Sequence, residues 1–380
     1  MRALFSCIPS EGHFRPLLPL ARALAAAGHD IAFATAVDWH PRVAAEGFEA
    51  LPAGRSRAEL ADGLAAVRRA TLELPPDERR PLAFSGNFAL VHAPPKLPEL
   101  LRVAAAWRAD TVVYDSADLA APLAAAVLGV PSVHHSFGAM IPLAALERAA
   151  EAGAPLWRAH RVEPDPHAGA FRGLYVDILP SSLAREQPLG ERVAMRPVGT
   201  AEEAAPAALD DLPAPRIYVT LGTIFNDAAL LRTLLAALDG EASALVTTGR
   251  DVDPVELGPA PARVRIERFV DQAGVLPHCV AVVCHGGSGT TLGALAHGVP
   301  LVLVPQGADQ FDNAARCAAA GTAVVVRPDE LTPAAVGSAL RRVLDDPAFT
   351  SAAQRLAREI AEMGTPEEVA RLVEAYVARG

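Results

Sequence analysis

The sequence predicts an α/β protein with two parallel-sheet domains. Three observations carry this. Short apolar runs that read as strands covered on both faces alternate with helical periods along the chain. The alternation restarts near residue 216, after a stretch of linker composition, Glu202–Pro215. The 380 residues, 51% of them apolar, suffice for two cores of ordinary size. The expected architecture is therefore two Rossmann-like domains facing a cleft.

In chain order, Arg2–Ile8 reads as a strand, Phe14–Ala27 as a helix ended by Gly28, and Asp30–Thr35 as a second strand. Residues 53–105 are rich in proline and arginine, with short helical pieces and no clear period, as suits the variable wall of a pocket. Thr111–Tyr114, Leu119–Leu128 and Ser132–His134 repeat strand, helix, strand. Residues 139–160 look helical, and Leu174–Leu179 is the last strand of the first half. Ile217–Leu221 opens the second half. Val280–Cys284 is a buried strand that breaks into the glycine-rich loop His285–Thr290, with Ser288 as the expected N-cap of a helix running to His297. Gly298–Pro305 is another buried strand, followed by the polar loop Gln306–Asn313.

Composition narrows the function. A formal charge of -10 argues against nucleic acid or an anionic membrane as partner. The four cysteines, Cys7, Cys279, Cys284 and Cys317, are too few and too strand-like in setting for a disulfide framework, and read as buried thiols of a cytoplasmic protein. Cys279, Cys284 and His285 lack a second ligand pair, so no metal is expected. The N-terminal apolar run is too short for a signal peptide, and Leu119–Val133, broken by Pro122 and Pro131, falls short of a membrane span. Lys96 is the only lysine among many arginines, which reads as the coding bias of a GC-rich genome.

The chemistry sits in three loops. The first N–H groups of the helix after His285–Thr290 have no internal partner, and the helix dipole adds positive charge, so this is an anion site suited to diphosphate. Asp309 and Gln310, in the next loop of the same carboxyl edge, offer a carboxylate and an amide suited to hydroxyl groups. A phosphate joined to a polyol is a nucleotide sugar. The first strand ends in Pro9-Ser-Glu-Gly-His13 without the glycine fingerprint of a nicotinamide enzyme. His13 stands instead at a helix start, where the dipole favours the neutral, basic ring, and it can take a proton from an attacking hydroxyl. It needs a carboxylate partner: Asp115 is the best candidate, and Asp118 either a second one or a helix cap. His134 and His135 line either an acceptor pocket or the core.

His285-Gly-Gly-Ser-Gly-Thr290, Gly298-Val-Pro300 and Asp309-Gln310 resemble the donor-binding block of family 1 glycosyltransferases with the GT-B fold. The likeness is greatest to bacterial enzymes that glycosylate natural products such as macrolides and enediynes. It runs from Gly12-His13 to the last helix, strongly over 216–326 and weakly over 53–105. It implies an acceptor domain over 1–200, a nucleotide-sugar domain over 216–364, and a C-terminal helix in 365–380 crossing back to the first. Gly222, Thr223, His285, Gly287, Ser288, Gly289 and Thr290 would hold the diphosphate, and Asp309 and Gln310 the sugar. Phe269 would stack on the base and Val270 offer its backbone, although Phe269 stands where tryptophan is common and Asp271 where proline is, leaving UDP and dTDP open. Asp115 matches the family's carboxylate beside His13, and Phe137 with His134 and His135 would line the acceptor pocket. The implied reaction is a single inverting displacement from a UDP- or dTDP-sugar onto a small-molecule aglycone, with no cofactor. Asp251-Val-Asp253 spells a metal-binding D-x-D, but the GT-B fold binds diphosphate without metal, so it reads as chance. The pyridoxal-phosphate relatives of the fold need a lysine in the second half, and Lys96 lies in the first. A nucleotide-sugar 2-epimerase of the same fold is the alternative enzyme. An inactive nucleotide-sugar-binding relative is disfavoured by the presence of both His13 and Asp115.

Overall fold

A computed structural model describes residues 1–197, 207–222, 227–238, 242–249 and 252–379. The expected linker before 207, Thr223 and Asp251 lie outside these. The chain forms two units: Met1–Leu179 with Arg185–Met195 and Gly364–Gly380, and Pro180–Ala184 with Arg196–Met363.

The first unit holds a parallel sheet of β1 (Arg2–Ser6), β2 (Asp30–Thr35), β3 (Glu49–Pro52), β4 (Thr111–Asp115), β5 (Ser132–His135), β6 (Leu174–Asp177) and β7 (Arg192–Ala194), in the order β3-β2-β1-β4-β5-β6-β7. Ala3, Leu4, Phe5, Val112 and Val113 are fully buried, because helices cover both faces of the central strands. The order reverses between β1 and β4, and their carboxyl ends form the crevice where doubly wound sheets bind ligands.

The first helix departs from the expected Phe14–Ala27. Helical backbone begins at Glu11–Phe14, tightens to a 3₁₀ turn over Arg15–Leu17, and resumes as Leu18–Ala26. Pro16 and Pro19 supply no N–H and crowd the preceding turn, so the helix cannot run straight through them. Residues 53–105 are more helical than their composition suggests: Ala61–Leu72, Pro76–Phe84, a π-helical stretch Ser85–His92, and Ala93–Trp107. Prolines stand in the first turns of the helices at 76 and 93, where no donor is lost. The wide π turn displaces the apolar stripe, which is why no 3.6-residue period is visible. A Cβ at Gly86 would come within 2.7 Å of Val67, so the glycine lets Ala61–Leu72 pack against the π turn. The last helix, Pro366–Val377, opens on a Thr365/Glu368 capping box and packs on Leu18–Ala26 within the first unit.

The second unit holds β8 (Arg216–Thr220), β9 (Ser243–Thr247), β10 (Val264–Glu267), β11 (Ala281–Cys284), β12 (Leu301–Leu303) and β13 (Ala323–Val325), all parallel, in the order β10-β9-β8-β11-β12-β13. It repeats the winding of the first sheet, with its reversal between β8 and β11. The core joins Ile217, Val219, Val246, Val283 and Val302 of the strands to Leu231, Leu234, Val336 and Leu340 of the helices. Among the described residues, no helix is long and apolar enough to cross a membrane.

Candidate functional site

In the first unit, the reversal between β1 and β4 brings together His13 and Asp115. Asp115 ends β4 with no exposed surface. Its Oδ2 accepts the Ile8 N–H at 2.9 Å, and its Oδ1 accepts Ala117 N–H at 2.8 Å and His13 Nδ1–H at 2.8 Å. Burial alone would raise this carboxyl, but the adjoining His13 ring and the hydrogen bonds from His13, Ala117 and Ile8 hold it below the usual carboxylate value. An ionised Asp115 fixes the proton on Nδ1, which leaves the Nε2 lone pair as the basic atom. The His13 side chain is 17% exposed. Phe137 meets its ring edge-on at 4.8 Å between centroids, and Phe88 lies 6.0 Å away, backed by Phe84 and by His92 stacked at 5.7 Å. Burial, helped by Lys96 and His13, lowers His92 to about 4.

Asp118 is not the partner of His13, and its side chain caps no helix. It pairs with Lys96 Nζ at 2.6 Å and accepts the Ser6 hydroxyl at 2.6 Å, all three groups buried. His134 takes the core alternative. Its Nδ1 bonds the Ala170 carbonyl at 2.8 Å, its Nε2 bonds Ser116 Oγ at 2.7 Å, and its ring packs between Tyr114 and Tyr175. With both nitrogens consumed it cannot serve an acceptor, which corrects its place in the pocket. His135 is also fully buried, with Nδ1 on the Ser136 carbonyl and, among the described residues, no partner for Nε2. Desolvation holds both rings near 4.

In the second unit, the helix Ser288–Ala296 starts one residue earlier than its side chains suggest. Gly287, not Ser288, occupies the N-cap, with extended backbone and no side-chain cap. Ser288 is turned to other work: its Oγ donates to Asp309 Oδ2 at 2.9 Å and accepts from Asn313 Nδ2 at 3.1 Å. Asn313 also donates to the Gly286 carbonyl at 2.9 Å and to Asp309 Oδ2 at 3.0 Å, tying the loops after β11 and β12 together. Among the described residues, no capping side chain meets the first N–H groups of the helix. His285 lies between two glycines. A Cβ on Gly222 would come within 2.6 Å of its ring, and one on Gly287 would overlap Nε2. Gly222 also holds φ at +74°, in the left-handed region. Burial lowers His285 to about 4, against weaker upward pulls from Asp309 and the Thr220 backbone, so the ring is neutral at pH 7.

Asp309 stands at the N-cap of Gln310–Ala319 yet makes no capping bond, because its Oδ2 faces Ser288 and Asn313. Ala308 before it is held at φ +52°, a strained conformation for a residue with a Cβ. Gln310 is almost fully buried, and its amide oxygen accepts the N–H groups of Gln306 and Gly307, at 2.7 and 3.1 Å, inside its own loop. Phe269 is 62% exposed at the carboxyl side of β10, and Val270 follows it half-buried. Gln272, just beyond, accepts from the Thr290 hydroxyl at 2.9 Å and links this segment to the glycine loop. Asp253 caps a 3₁₀ turn and pairs with Arg268 at 2.7 Å. Among the described residues, no group of three or more His, Cys, Asp or Glu could hold a metal.

Four residues that the sequence reading passed over belong to these sites: Phe88, Lys96, Gln272 and Asn313. Asn313 had a signal, lying four residues after Asp309 on one helix face. Phe88 and Lys96 had none: Phe88 lies in the π turn, which breaks the period, and Lys96 lies on the helix Ala93–Trp107 just beyond it.

Comparison with known proteins bears on the family and the fold. Residues 22–222 match the family model "Erythromycin biosynthesis protein CIII-like, N-terminal domain", and 229–376 match its C-terminal domain. The chain is 32% identical to the L-demethylnoviosyl transferase of Streptomyces niveus over 97% of both proteins. It is 31% identical to the elloramycin glycosyltransferase ElmGT of Streptomyces olivaceus, over 97% of this chain and 96% of the relative. Among solved structures, the glycosyltransferase SnogD from Streptomyces nogalater superposes with a TM-score of 0.75 at 31% identity, covering 99% of each chain. The Streptomyces glycosyltransferase SsfS6 complexed with thymidine diphosphate gives 0.79 at 27%, again over 99% of each. Two doubly wound parallel sheets and these matches lead to one conclusion: the chain belongs to the erythromycin biosynthesis protein CIII-like family and is a glycosyltransferase of GT-B fold.

Proposed function

We propose that the protein transfers a sugar from a dTDP- or UDP-activated donor to a hydroxyl of a small-molecule natural-product aglycone, with inversion and without a metal. The observation that carries this reading is the His13–Asp115 pair, whose carboxylate is buried, ionised and bonded to Nδ1. His13 Nε2 takes the acceptor proton as the oxygen attacks the anomeric carbon, Asp115 stabilises the imidazolium formed, and the nucleoside diphosphate leaves. The first unit is the acceptor domain, where Phe137 and Phe88 give the base an apolar setting. The second unit is the donor domain. The uncapped N–H groups of Ser288, Gly289 and Thr290 hold the diphosphate together with Gly222, Gly287, Thr223 and the neutral ring of His285, which donates a hydrogen bond without adding charge. Oriented donors of this kind are worth about 3 kcal/mol each in a transition state. Phe269 and Val270 receive the base. Asp309, with Oδ2 engaged by Ser288, uses its other oxygen on the sugar, and Gln310 shapes that loop. The relatives support this, since SsfS6 binds thymidine diphosphate in its crystal structure.

Mass spectrometry of candidate aglycones incubated with several nucleotide sugars tests the reading. A product heavier by one sugar, lost in His13→Ala and insensitive to EDTA, is expected. If chelation stops turnover and manganese restores it, the metal-free account fails. An epimerised nucleotide sugar formed without acceptor would instead identify a 2-epimerase.

A further inference from the structure

We propose that Lys96 is a positioning residue for the Asp115–His13 pair, acting through the single peptide group that joins Cys7 to Ile8. The carbonyl of that group is the Cys7 oxygen, which accepts from Lys96 Nζ at 2.8 Å and from Thr35 Oγ1 at 3.2 Å. Its N–H is that of Ile8, which donates to Asp115 Oδ2 at 2.9 Å. A peptide group is planar, so fixing its carbonyl direction fixes the direction of its N–H. An ammonium on the carbonyl also polarises the group and strengthens the donation at its other end. The path is continuous: ammonium, peptide, carboxylate, Nδ1–H, and finally the basic Nε2 of His13.

The details fit a lysine better than the arginine this chain uses elsewhere. Lys96 is 3% exposed, and its three N–H donors have three acceptors in reach: Asp118 Oδ2 at 2.6 Å, Cys7 O at 2.8 Å and Ala34 O at 3.5 Å. A planar guanidinium would not match that arrangement. The stem is walled by Gly54, where a Cβ would lie 3.4 Å from Lys96 Cδ. Asp118, steadied by the Ser6 hydroxyl, neutralises the buried ammonium without touching Asp115 or His13. The titratable groups around the pair include Lys96, Asp118, His92, the buried rings of His134 and His135, and the Cys7 thiol, which burial keeps protonated.

The inference rests on His13 and Asp115 being the proton-accepting pair, and its test reads that pair without sugar transfer. In the full chain, Lys96→Met/Asp118→Asn removes one charge of each sign and leaves no buried ion unpaired. Amide exchange by NMR should show Ile8 accelerated about tenfold relative to Leu4 and Phe5 of the preceding strand β1. The ¹⁵N shifts of His13 should show loss of the fixed Nδ1–H tautomer. Equal acceleration of all three amides, or an unchanged His13 tautomer, would overturn the proposal. Should the double variant not fold, Lys96→Gln carries the test: its shorter neutral donor should give the same Ile8-selective effect at reduced size, and no effect overturns it. Where a transfer assay is in hand, kcat should fall in either variant while KM for the nucleotide sugar holds. Absence of transfer by the unmutated protein would count against the proposed function and leave the exchange result standing.

Discussion

At Asp115, desolvation and hydrogen bonding pull in opposite directions, and the hydrogen bonds win. The sign has two consequences. A carboxyl whose pKa is depressed on folding contributes stability above its unfolded value, about 3.8, and loses that contribution as pH falls through the folded value. Acid denaturation followed by circular dichroism should therefore be flatter below about pH 4 in Asp115→Asn than in the parent. In catalysis, His13→Ala should lower kcat by about 10²–10⁴-fold while thymidine diphosphate affinity, read by calorimetry, stays within error. Asp115→Asn should cost less, through a mis-set tautomer. Asp309 belongs to the same scale. Its tie to Ser288 and Asn313 means that Asp309→Ala should weaken nucleoside diphosphate as well as nucleotide sugar, with the larger loss for the sugar-bearing ligand. Equal losses for both would remove the sugar contact. As candidates, His13, Asp115 and Asp309 could be named from the sequence because each lies at or beyond the carboxyl end of an apolar strand. The setting of His134 could not, because strand β5 alternates faces and only the fold shows Tyr114 and Tyr175 closing on its ring.

The glycine loop is an element whose side chains matter less than their absence. Gly222 and Gly287 leave room for His285, and either alanine would collide with the ring. Gly287→Ala should therefore weaken thymidine diphosphate by at least about tenfold, with little effect on the first unit; unchanged affinity would show that the ring does not serve the diphosphate. Ser288 is the first helical residue, a position that tolerates proline, and Gly287 before it has the extended backbone a proline requires. Ser288→Pro should then fold, lose one N–H and one hydroxyl, and bind diphosphate weakly. A retained thermal shift with nucleotide would argue against the helix terminus as the anion site. The strand and the loop were readable from Val280–Thr290, but the one-residue displacement of the cap was not. Serine is a good N-cap in isolation, and here Asp309 and Asn313 compete for its hydroxyl.

At the scale of the molecule, the two units carry their titratable burdens unequally. His92, His134 and His135 lie in the first unit and His285 in the second, all lowered to about 4 by burial, and burial also lowers the half-buried His297 of the second unit. A histidine whose folded pKa lies below its ordinary 6.5 takes up a proton first in the unfolded state. Stability is then lost as pH falls from about 6.5 toward 4, each such group steepening the slope by up to about 1.4 kcal/mol per pH unit. Hydrogen exchange at pH 5 should show Met1–Leu179 opening before Arg196–Met363, and simultaneous opening would contradict this. Thymidine diphosphate at a hundredfold excess over its Kd should protect Arg196–Met363 by about 2.7 kcal/mol, with the first unit changed less.

Much of this protein is determined by its sequence alone. The apolar runs specify two parallel sheets, the restart near residue 216 specifies two windings, and the residues closing β1, β4, β11 and β12 name most of the candidate site. These features are local, since a strand covered on both faces and a glycine turn leave their mark on neighbouring residues. Tertiary structure decided what depends on partners far along the chain. Asp115 and Asp118 are three residues apart, yet one meets His13 and the other Lys96, because the strand order sets β1 beside β4. Lys96 reads as an accident of coding until the helix Ala93–Trp107 brings its ammonium to the Cys7 carbonyl, 89 positions away. Long-range pairing of this kind follows from the order of strands in a sheet, which hydrophobic periodicity does not encode.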